Sequence, residues 1–492
     1  MQVKTWGWLG LLGVGLLGLG YVYGQRSWSP MGGMMGGRNG GHGMMMSRTT
    51  SDVATSQTTS AAHPLVLPER LKPTQATKTK VSYTLTAQTG KMAFKPGTET
   101  KTLGYNGNYL GPVLQVRRGQ TLQIKTRNQL TRPTTFHWHG AIVPGKEDGG
   151  PHQIVAPGQS KTVAFKIQQP AATLWYHPHA MGSTAKQVYQ GLAGLIYVRD
   201  KQSDQLHLPD KYGVNDFPVV IQDRSFTKNN QFDYDAVYNS DGAKGNTLLI
   251  NGTLNPYIKV TTKLVRLRFV NGSNARNYQL KLSNGQAMQQ IATDGGLLSK
   301  PVAVKTLKLS PGERGEVIID TAKFKDGQTV TVKNGQQSVL ALRTAKKEVS
   351  DGKLPANLVS VPTVNTTNAQ RQTLAFNGMG TMVSINHQQY SKDRIDLTAQ
   401  QDRPQIWTLK NTGTMMGGMI HPFHLHGVQF RILSINGQTP PANLQGLKDT
   451  VALDPDSTVK IAFNFKDRGI YMYHCHNLEH EENGMMGQIK VS

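Results

Sequence analysis

The sequence predicts an all-β protein of sandwich or barrel domains, and three observations support this prediction. Short segments in which apolar and polar residues alternate recur along the body of the chain, which is typical of half-buried strands. Glycine, asparagine, aspartate and proline separate these segments at short intervals, while long stretches with the helical period of about 3.6 residues are scarce. The 492 residues correspond to about three domains at roughly 150 residues each.

Composition and charge exclude several classes of protein. Hydrophobic residues make up 37% of the chain, which is too little for a polytopic membrane protein, and the charge is too diluted by apolar residues for a wholly disordered chain. The net charge of +24 indicates either attraction to anionic surfaces or a generally basic, solvated surface. Since no zinc finger or RNA-binding aromatic motif is present, we expect no nucleic-acid partner. The single cysteine, Cys475, excludes an intrachain disulfide.

Residues 1–25 are predicted to be a signal peptide or a membrane anchor. Lys4 precedes an uncharged, largely apolar run that ends at Gln25, which is the pattern of an export signal. The run is also long enough to span a bilayer, which takes about 20 residues. Both interpretations place the remaining chain outside the cytoplasm, either secreted or anchored to the outer face of the cell membrane.

Residues 26–64 are predicted to be a disordered linker rich in methionine and glycine. The segment from Met31 to Met46 holds six of the 18 methionines together with seven glycines, and glycine at this density does not form a packed core. Thioether sulfur is a soft ligand that suits Cu(I). The segment is therefore interpreted either as a copper-capturing tail or as a flexible spacer.

The body of the chain is predicted to contain three domains, at residues 65–200, 201–350 and 351–492. Polar stretches at Asp200–Asp204 and Lys346–Pro355 are interpreted as the junctions between them. The first and third domains end in a histidine-rich strand, and the middle domain does not, which is weak evidence of an internal repeat. The strands predicted by alternation include Val81–Thr86, Val113–Val116, Thr162–Ile167, Val265–Val270 and Val459–Phe463.

Four histidine motifs carry the chemistry that the sequence predicts. They use ten of the 15 histidines and the only cysteine. They are His137-Trp138-His139-Gly140, His177-Pro178-His179, His421-Pro422-Phe423-His424-Leu425-His426-Gly427 and His474-Cys475-His476, the last of which continues through His480 to Met485.

The spacing of the histidines predicts a metal cluster. Residues i and i+2 of a strand face the same side, so each His-x-His pair can direct two imidazoles to one place. Four such pairs provide eight imidazoles, which is too many for one ion and fits three ions that share them three, three and two. Imidazole suits copper, zinc, iron and nickel, so the histidines alone do not identify the metal.

The cysteine identifies the metal as copper. On a strand, the Cys475 thiolate points away from its two neighbours and toward His421 and His480, with Met485 as a weak axial ligand. Two histidines, one cysteine and a distant methionine form a blue-copper electron-transfer site. Reduction of O2 to two waters takes four electrons, and donors such as phenols or Cu(I) supply one each. An entry site beside a three-metal store suits that reaction, in which the protein orients the ligands and excludes water.

With these motifs the sequence resembles the multicopper oxidases, a family that includes laccases and the bacterial cuprous oxidase. The resemblance extends from about Leu65 to Ser492 and includes all four copper motifs. It is nearest to the cuprous oxidase at Asp148-Gly149-Gly150-Pro151 and at Glu479-His480-Glu481. It implies three consecutive cupredoxin-like Greek-key domains, a blue-copper site in the third domain and a cluster between the first and third.

The resemblance also implies four coppers per chain, one of type 1, one of type 2 and two of type 3, and it assigns their ligands. Type 1 copper would be bound by His421, Cys475, His480 and Met485, and type 2 copper by His137 and His424. The paired type 3 coppers would be bound by His139, His177, His179, His426, His474 and His476.

Three carboxylates are predicted to take part in the reaction on the same grounds. Family likeness suggests that Asp148 and Glu481 relay protons to the cluster, which is consistent with the four protons consumed by each O2. The alternatives are a turn residue for Asp148 and a surface charge for Glu481. Asp449 matches a position that meets substrate near the blue-copper histidine, with a plain loop carboxylate as the alternative.

The donor is left open between Cu(I), with a role in copper tolerance, and phenols or aromatic amines. The cuprous oxidase carries a long methionine-rich insertion ahead of the third copper motif, whereas this region here has only scattered methionines. The alternative to an oxidase is a non-catalytic copper-binding protein or a cell-division-associated scaffold on the same fold. We expect the chain to act as a monomer. The methionines of that region are Met379, Met382, Met415, Met416 and Met419.

Overall fold

A computed structural model describes residues 61–239, 241–349, 352–412 and 418–492. The predicted signal or anchor, the Met31 to Met46 segment and most of the predicted linker lie outside the described residues. Six sheets pack in pairs around three cores, so the chain forms three consecutive β-sandwich domains. This confirms the predicted all-β class with three cupredoxin-like domains.

The first domain contains a four-stranded path β2-β3-β6-β7, with β4 paired to β3, and a second sheet β5-β9-β8. The alternation of apolar and polar residues along β6 directs its apolar side chains into the core of this domain. Leu122 and Ile124 are fully buried there. The elements up to the first junction are β1 (His63–Pro64), β2 (Gln75–Ala76), β3 (Lys80–Met92), β4 (Thr100–Tyr105), β5 (Val113–Arg117), β6 (Thr121–Asn128), β7 (Ser160–Lys166), β8 (Ala172–Tyr176), α1 (Thr184–Gln190), β9 (Gly194–Arg199) and α2 (Lys201–Asp204).

The second domain contains two six-stranded sheets, β1-β12-β20-β19-β14-β17 and β11-β10-β13-β18-β15-β16. The central strand β13 lies between β10 and β18, and it is buried on both faces. Its elements are β10 (Asp216–Arg224), β11 (Thr247–Ile250), β12 (Pro256–Thr262), β13 (Leu264–Asn271), β14 (Tyr278–Leu282), β15 (Met288–Thr293), β16 (Gly296–Val304), β17 (Leu307–Leu309), β18 (Arg314–Asp320), β19 (Thr329–Asn334) and β20 (Gln337–Val349).

The third domain contains sheets β22-β21-β24-β28-β26 and β23-β30-β29-β25-β27. Strands β25 and β29 are neighbours in the second of these sheets, which brings the third and fourth histidine motifs together. Its elements are β21 (Gln370–Asn377), β22 (Ser384–Ile385), β23 (Leu397–Ala399), β24 (Gln405–Asn411), β25 (His421–Leu425), β26 (Arg431–Ile435), β27 (Thr450–Leu453), β28 (Thr458–Phe463), β29 (Gly469–Cys475), α3 (Leu478–Glu482) and β30 (Met486–Val491).

The strands predicted from alternation are observed, with ends that differ by a few residues. Two predictions at the boundaries differ from the structure. The predicted linker extends to residue 64, but β1 pairs with β12 of the second domain, so the last residues of that linker are part of a sheet. The predicted second junction begins at Lys346, whereas β20 continues to Val349. Across the four described ranges, we find no helix that is both long and apolar enough to cross a membrane.

Candidate metal centre

The first domain presents four histidines from two segments that are bonded to each other. His137 and His177 exchange backbone hydrogen bonds of 2.9 and 3.2 Å, which forms an isolated bridge between the first two motifs. His177 follows directly after β8. The rings of His137, His139, His177 and His179 are buried, with at most 1% of each residue exposed.

The third domain presents four more histidines toward the same place. On the neighbouring strands β25 and β29, His424 lies opposite His474, and the pleat brings His426 and His476 to the same side. The two sets of rings meet at the contact between the domains, where His179 Nε2 lies 3.2 Å from His474 Nε2. The structure therefore brings together all eight imidazoles that the sequence analysis assigned to a cluster.

The ring nitrogens gather into smaller groups inside this cluster. His137 Nε2 lies 3.4 Å from His424 Nε2, and His426 Nε2 lies 3.1 Å from His474 Nε2. His139 Nδ1 lies 3.2 Å from His177 Nε2. His179 lies beside His474 in the second of these groups, and the ring of His476 lies 4.9 Å from that of His139 and 5.3 Å from that of His177.

The outward nitrogens of the rings are held by the surrounding protein. His137 Nδ1 donates to the Asp148 carbonyl at 3.0 Å, and His424 Nδ1 donates to the Asp449 carbonyl at 2.8 Å. His177 and His474 are bonded to backbone carbonyls in the same way. A neutral imidazole that donates from one nitrogen presents the lone pair of the other, so these bonds direct acceptor nitrogens into the cluster.

The electrostatics of the cluster suit metal binding. Burial lowers the pKa of His177 to about 3 and that of His474 to about 4, so these rings stay neutral and able to bind a metal. Within the described residues, both ring nitrogens of the buried His476 have no hydrogen-bond partner. Buried polar atoms without partners are unusual in folded proteins. Eight converging neutral imidazoles thus fit a group of soft or borderline cations.

The second part of the centre surrounds Cys475. Its Sγ lies 3.6 Å from His421 Nδ1 and 3.9 Å from His480 Nδ1, and the thiol is fully buried. Met485 is buried in the same core, and its backbone bonds to both Cys475 and His480. Burial raises the pKa of the Cys475 thiol, so a bound cation is needed to hold it as a thiolate at neutral pH.

Asp148 and Glu481 both lie against the cluster, next to different histidines. Asp148 Oδ2 accepts a 2.7 Å hydrogen bond from His426 Nδ1, and the oxygens of Glu481 lie 3.5 Å from His179 Nδ1 and 3.2 Å from His474 Nδ1. Burial raises the pKa of both carboxyls well above their usual values. Both carboxyls are buried against cluster histidines and retain a proton to a higher pH than exposed carboxyls do.

The predicted position of Asp449 at the donor surface is wrong. Asp449 is fully buried, and its carboxylate is bonded to Arg314 and to His139 Nε2, the latter at 2.9 Å. Burial raises its pKa, while the charge of Arg314 opposes that rise. A carboxylate that is buried and bonded in this way is not exposed to an external substrate.

Sequence reasoning missed two residues that contact the cluster. The ring of Trp175 lies 4.2 Å from that of His177, and Thr450 Oγ1 lies 3.1 Å from His139 Nε2. Trp175 stands two residues before His177 on β8, so the same-face rule that pairs the histidines could have found it. Nothing in the sequence singles out Thr450, because its neighbour in space comes from a distant segment.

The copper-free chain is expected to lose stability on acidification. The unfolded histidines take up protons below pH 6.5, whereas the folded ones resist protonation down to about pH 3 or 4. Stability should therefore fall as the pH drops through this window, by about 1.4 kcal/mol per pH unit for each such histidine. Buried carboxyls with raised pKa values act in the opposite direction but are fewer. Denaturant unfolding of the metal-free chain at several pH values measures the slope.

A double variant provides the control for this slope. His177→Asn with His474→Asn should flatten it by about 2.7 kcal/mol per pH unit, since two titrating groups are removed. A metal-free chain that becomes more stable as the pH falls from neutrality, or a double variant with an unchanged slope, would contradict the assignment.

Comparisons with known proteins agree with this geometry. Family models described as multicopper oxidase match residues 86–203, 215–342 and 355–492. The multicopper oxidase mco of Staphylococcus epidermidis is 44% identical over 84% of this chain and 88% of that protein. A laccase structure from Pediococcus acidilactici has a TM-score of 0.86 and 41% identity, covering 88% of this chain and 94% of that one. The cell division protein FtsP of Escherichia coli is 34% identical over 83% of this chain and 89% of that protein.

Proposed function

This chain belongs to the multicopper oxidase family, and on that premise we propose that it oxidises small one-electron donors beside His421 and passes the electrons to O2 at the histidine cluster. Its cofactor is copper, in one type 1, one type 2 and two type 3 ions. The observation that carries the proposal is the place of Cys475. Its side chain lies with His421 and His480, while the residues on either side of it belong to the cluster.

The ligand assignment follows the geometry of the nitrogens and the sulfur. Type 1 copper fits His421, Cys475 and His480 with Met485 as the distant ligand, and type 2 copper fits His137 and His424. When bound at these sites, copper supplies the storage of four electrons that full reduction of O2 requires. The type 3 ligands are divided between His139, His177 and His476 and a second set of His179, His426 and His474.

The residues of this chain do three further things for the reaction. Backbone bonds from His474 and His476 to Cys475 connect the two sites by a short covalent path. Burial of every cluster histidine excludes bulk water, which strengthens the local electrostatics. Asp148 and Glu481 hold protons next to the rings, and four protons are needed for each O2.

The donors that we propose are phenols, aromatic amines and Cu(I). The ring of His421 is bonded to the backbone of Gly378, and the loop that follows carries Met382, which is 79% exposed. A thioether at such an edge is a soft ligand for Cu(I), which supports a role in copper tolerance. The region ahead of the third motif has only scattered methionines and no long methionine-rich insertion, which supports aromatic donors as well.

The scaffold alternative is disfavoured by the ligand set. FtsP is named for cell division, and it shares the fold with this chain. A scaffold has no need of buried imidazoles without hydrogen-bond partners, such as His476, because each carries an energetic penalty. We also propose that the protein acts outside the cytoplasm, which rests on the export-like segment at residues 1–25, and that it acts as a monomer.

The test is purification of the full chain with copper and measurement of the metal and of both substrates. We expect about four coppers per chain, a blue thiolate-to-copper absorption, and about four donor molecules oxidised for each O2 consumed, with water and not peroxide as the product. Steady-state rates with Cu(I) and with a phenol then rank the donors. A chain that takes up copper without consuming O2 would support the copper-binding alternative instead.

A further inference from the structure

We propose that Arg314, a residue of the middle domain, is a positioning residue for the copper cluster. The middle domain contributes no histidine ligand among the described residues, and its part in a three-domain oxidase is otherwise only to connect the other two. Arg314 begins β18 and is buried, with 1% of the residue exposed. The proposal deepens the proposed function and rests on it for the identity of the metal.

The guanidinium of Arg314 uses all five of its N–H donors in bonds that reach all three domains. Nε donates to the carbonyl of Thr173 at 3.1 Å, on the strand of the first domain that leads into His177. Both terminal nitrogens donate to the carboxylate of Asp449 in the third domain. Their remaining protons go to the carbonyls of Gly312 and Asp294 in the middle domain. A lysine has three donors at one point and cannot replace this planar fork.

Asp449 carries the effect of Arg314 to two cluster histidines. Its Oδ1 accepts the Nε2 proton of His139 at 2.9 Å, and its backbone carbonyl accepts the Nδ1 proton of His424 at 2.8 Å. With its proton on Nε2, His139 presents Nδ1 to the cluster, opposite to the nitrogen that His424 presents. Carboxylates bonded to ligating histidines fix the tautomer and the ring orientation, which sets metal affinity.

The packing around this pair is close enough to require a glycine. A Cβ atom at Gly140, which follows His139 and has a φ of +87°, would lie 2.6 Å from both Arg314 Nη2 and Asp449 Oδ2. The glycine at the end of the first copper motif thus makes room for the Arg314–Asp449 pair. Asp294 also fixes the backbone of Arg314, because its Oδ1 accepts the backbone N–H of Arg314 at 2.7 Å.

The charged side chains around Arg314 have more carboxylates than cations, so their net charge is opposite in sign to that of bound copper ions. Lys448 is bonded to Asp294 at 2.9 Å and to Glu313 at 3.0 Å, so two cations and three carboxylates are buried together with Asp449 nearest the histidines. An ion pair this deep is retained at a cost in desolvation. Because the pair lies next to His139, its function is to keep that imidazole in one tautomer and one orientation.

The experiment measures copper binding by the full chain with Arg314→Met against a matched control, Arg276→Met. Arg276 is another buried arginine of the same domain, with 4% of the residue exposed, and its guanidinium is paired with Asp223 at 2.8 Å. We expect Arg314→Met to retain one blue copper per chain and to bind the cluster coppers about 10- to 100-fold more weakly. Arg276→Met should bind all coppers as the wild type does. Total copper, blue absorbance and electron paramagnetic resonance separate the two kinds of site.

Two further variants keep the test decisive if Arg314→Met does not fold. Arg314→Lys should fold and show the same selective loss in a weaker form, and Asp449→Asn should show it with Arg314 intact. Unfolding of the metal-free variants reports any purely structural effect, which would lower stability without changing the ratio of cluster to blue copper. An unchanged ratio in all three variants would overturn the proposal and leave the oxidase function standing. A wild type that binds no cluster copper would overturn both.

Discussion

Replacement of Cys475 by serine is expected to abolish the blue colour and to lower donor oxidation by at least about four orders of magnitude, which corresponds to about 5.5 kcal/mol in the barrier. The sulfur lies between His421 and His480 at 3.6 and 3.9 Å. A serine hydroxyl has nearly the same shape but is neither a soft ligand nor easily deprotonated. Absorption spectra and steady-state rates of the copper-loaded variant provide the measurement.

The loss should be confined to the type 1 site. His474 and His476 are unchanged in Cys475→Ser, so the cluster should retain its coppers, which metal analysis can count. Val459→Thr is a suitable control, because it places a hydroxyl in the same core on β28, which belongs to the other sheet from β25 and β29. The Val459→Thr variant should retain the blue colour and the wild-type rate of donor oxidation. Donor oxidation at the wild-type rate by Cys475→Ser would show that electrons enter elsewhere.

The second large effect is expected from the two carboxyls beside the cluster. Asp148→Asn with Glu481→Gln should slow O2 reduction by about 10²- to 10⁴-fold, the usual contribution of a positioned proton donor. Both amides keep the shape of the side chain but cannot give up a proton. Burial raises the pKa of each carboxyl, so the wild-type side chains carry protons at a pH where exposed ones would not.

A comparison of the two half-reactions separates proton supply from damage to the site. Without O2, a donor should bleach the blue colour of the double variant as fast as that of the wild type, since Cys475, His421 and His480 are all unchanged. With O2, turnover should be slow. Equal slowing of both half-reactions would assign the carboxyls a structural role in place of proton transfer.

The metal ligands could be predicted from the sequence because their pattern is local. Each His-x-His pair needs only the alternation of one strand, and Cys475 is separated from its cluster neighbours by the same rule. The grouping of the eight rings was reached by counting and by family likeness. Only the structure shows which histidine of the first domain lies beside which histidine of the third domain, since neighbours such as His179 and His474 are 295 positions apart.

The burial of Asp449 could not be predicted from the local sequence pattern. The sequence around it, Leu447-Lys448-Asp449-Thr450, is the same whether the loop faces solvent or another domain. Its burial depends on Arg314, which is 135 positions away and is itself indistinguishable in sequence from a surface arginine after a Pro-Gly turn. The edge strand β1 was missed for the same reason, because a two-residue strand is defined only by its distant partner β12.

The division of the cluster between the first and last domains has a consequence for biosynthesis. The four histidines of the first domain emerge from the ribosome well before those of the third domain. His179 precedes its neighbour His474 by 295 positions, an interval of about 15 to 60 s at about 5 to 20 residues per second. During that interval they form only half a coordination sphere, and the thiol has not yet been translated. Full metallation therefore has to follow translation of the fourth histidine motif, so the nascent polypeptide cannot assemble its complete redox centre before that motif has been made.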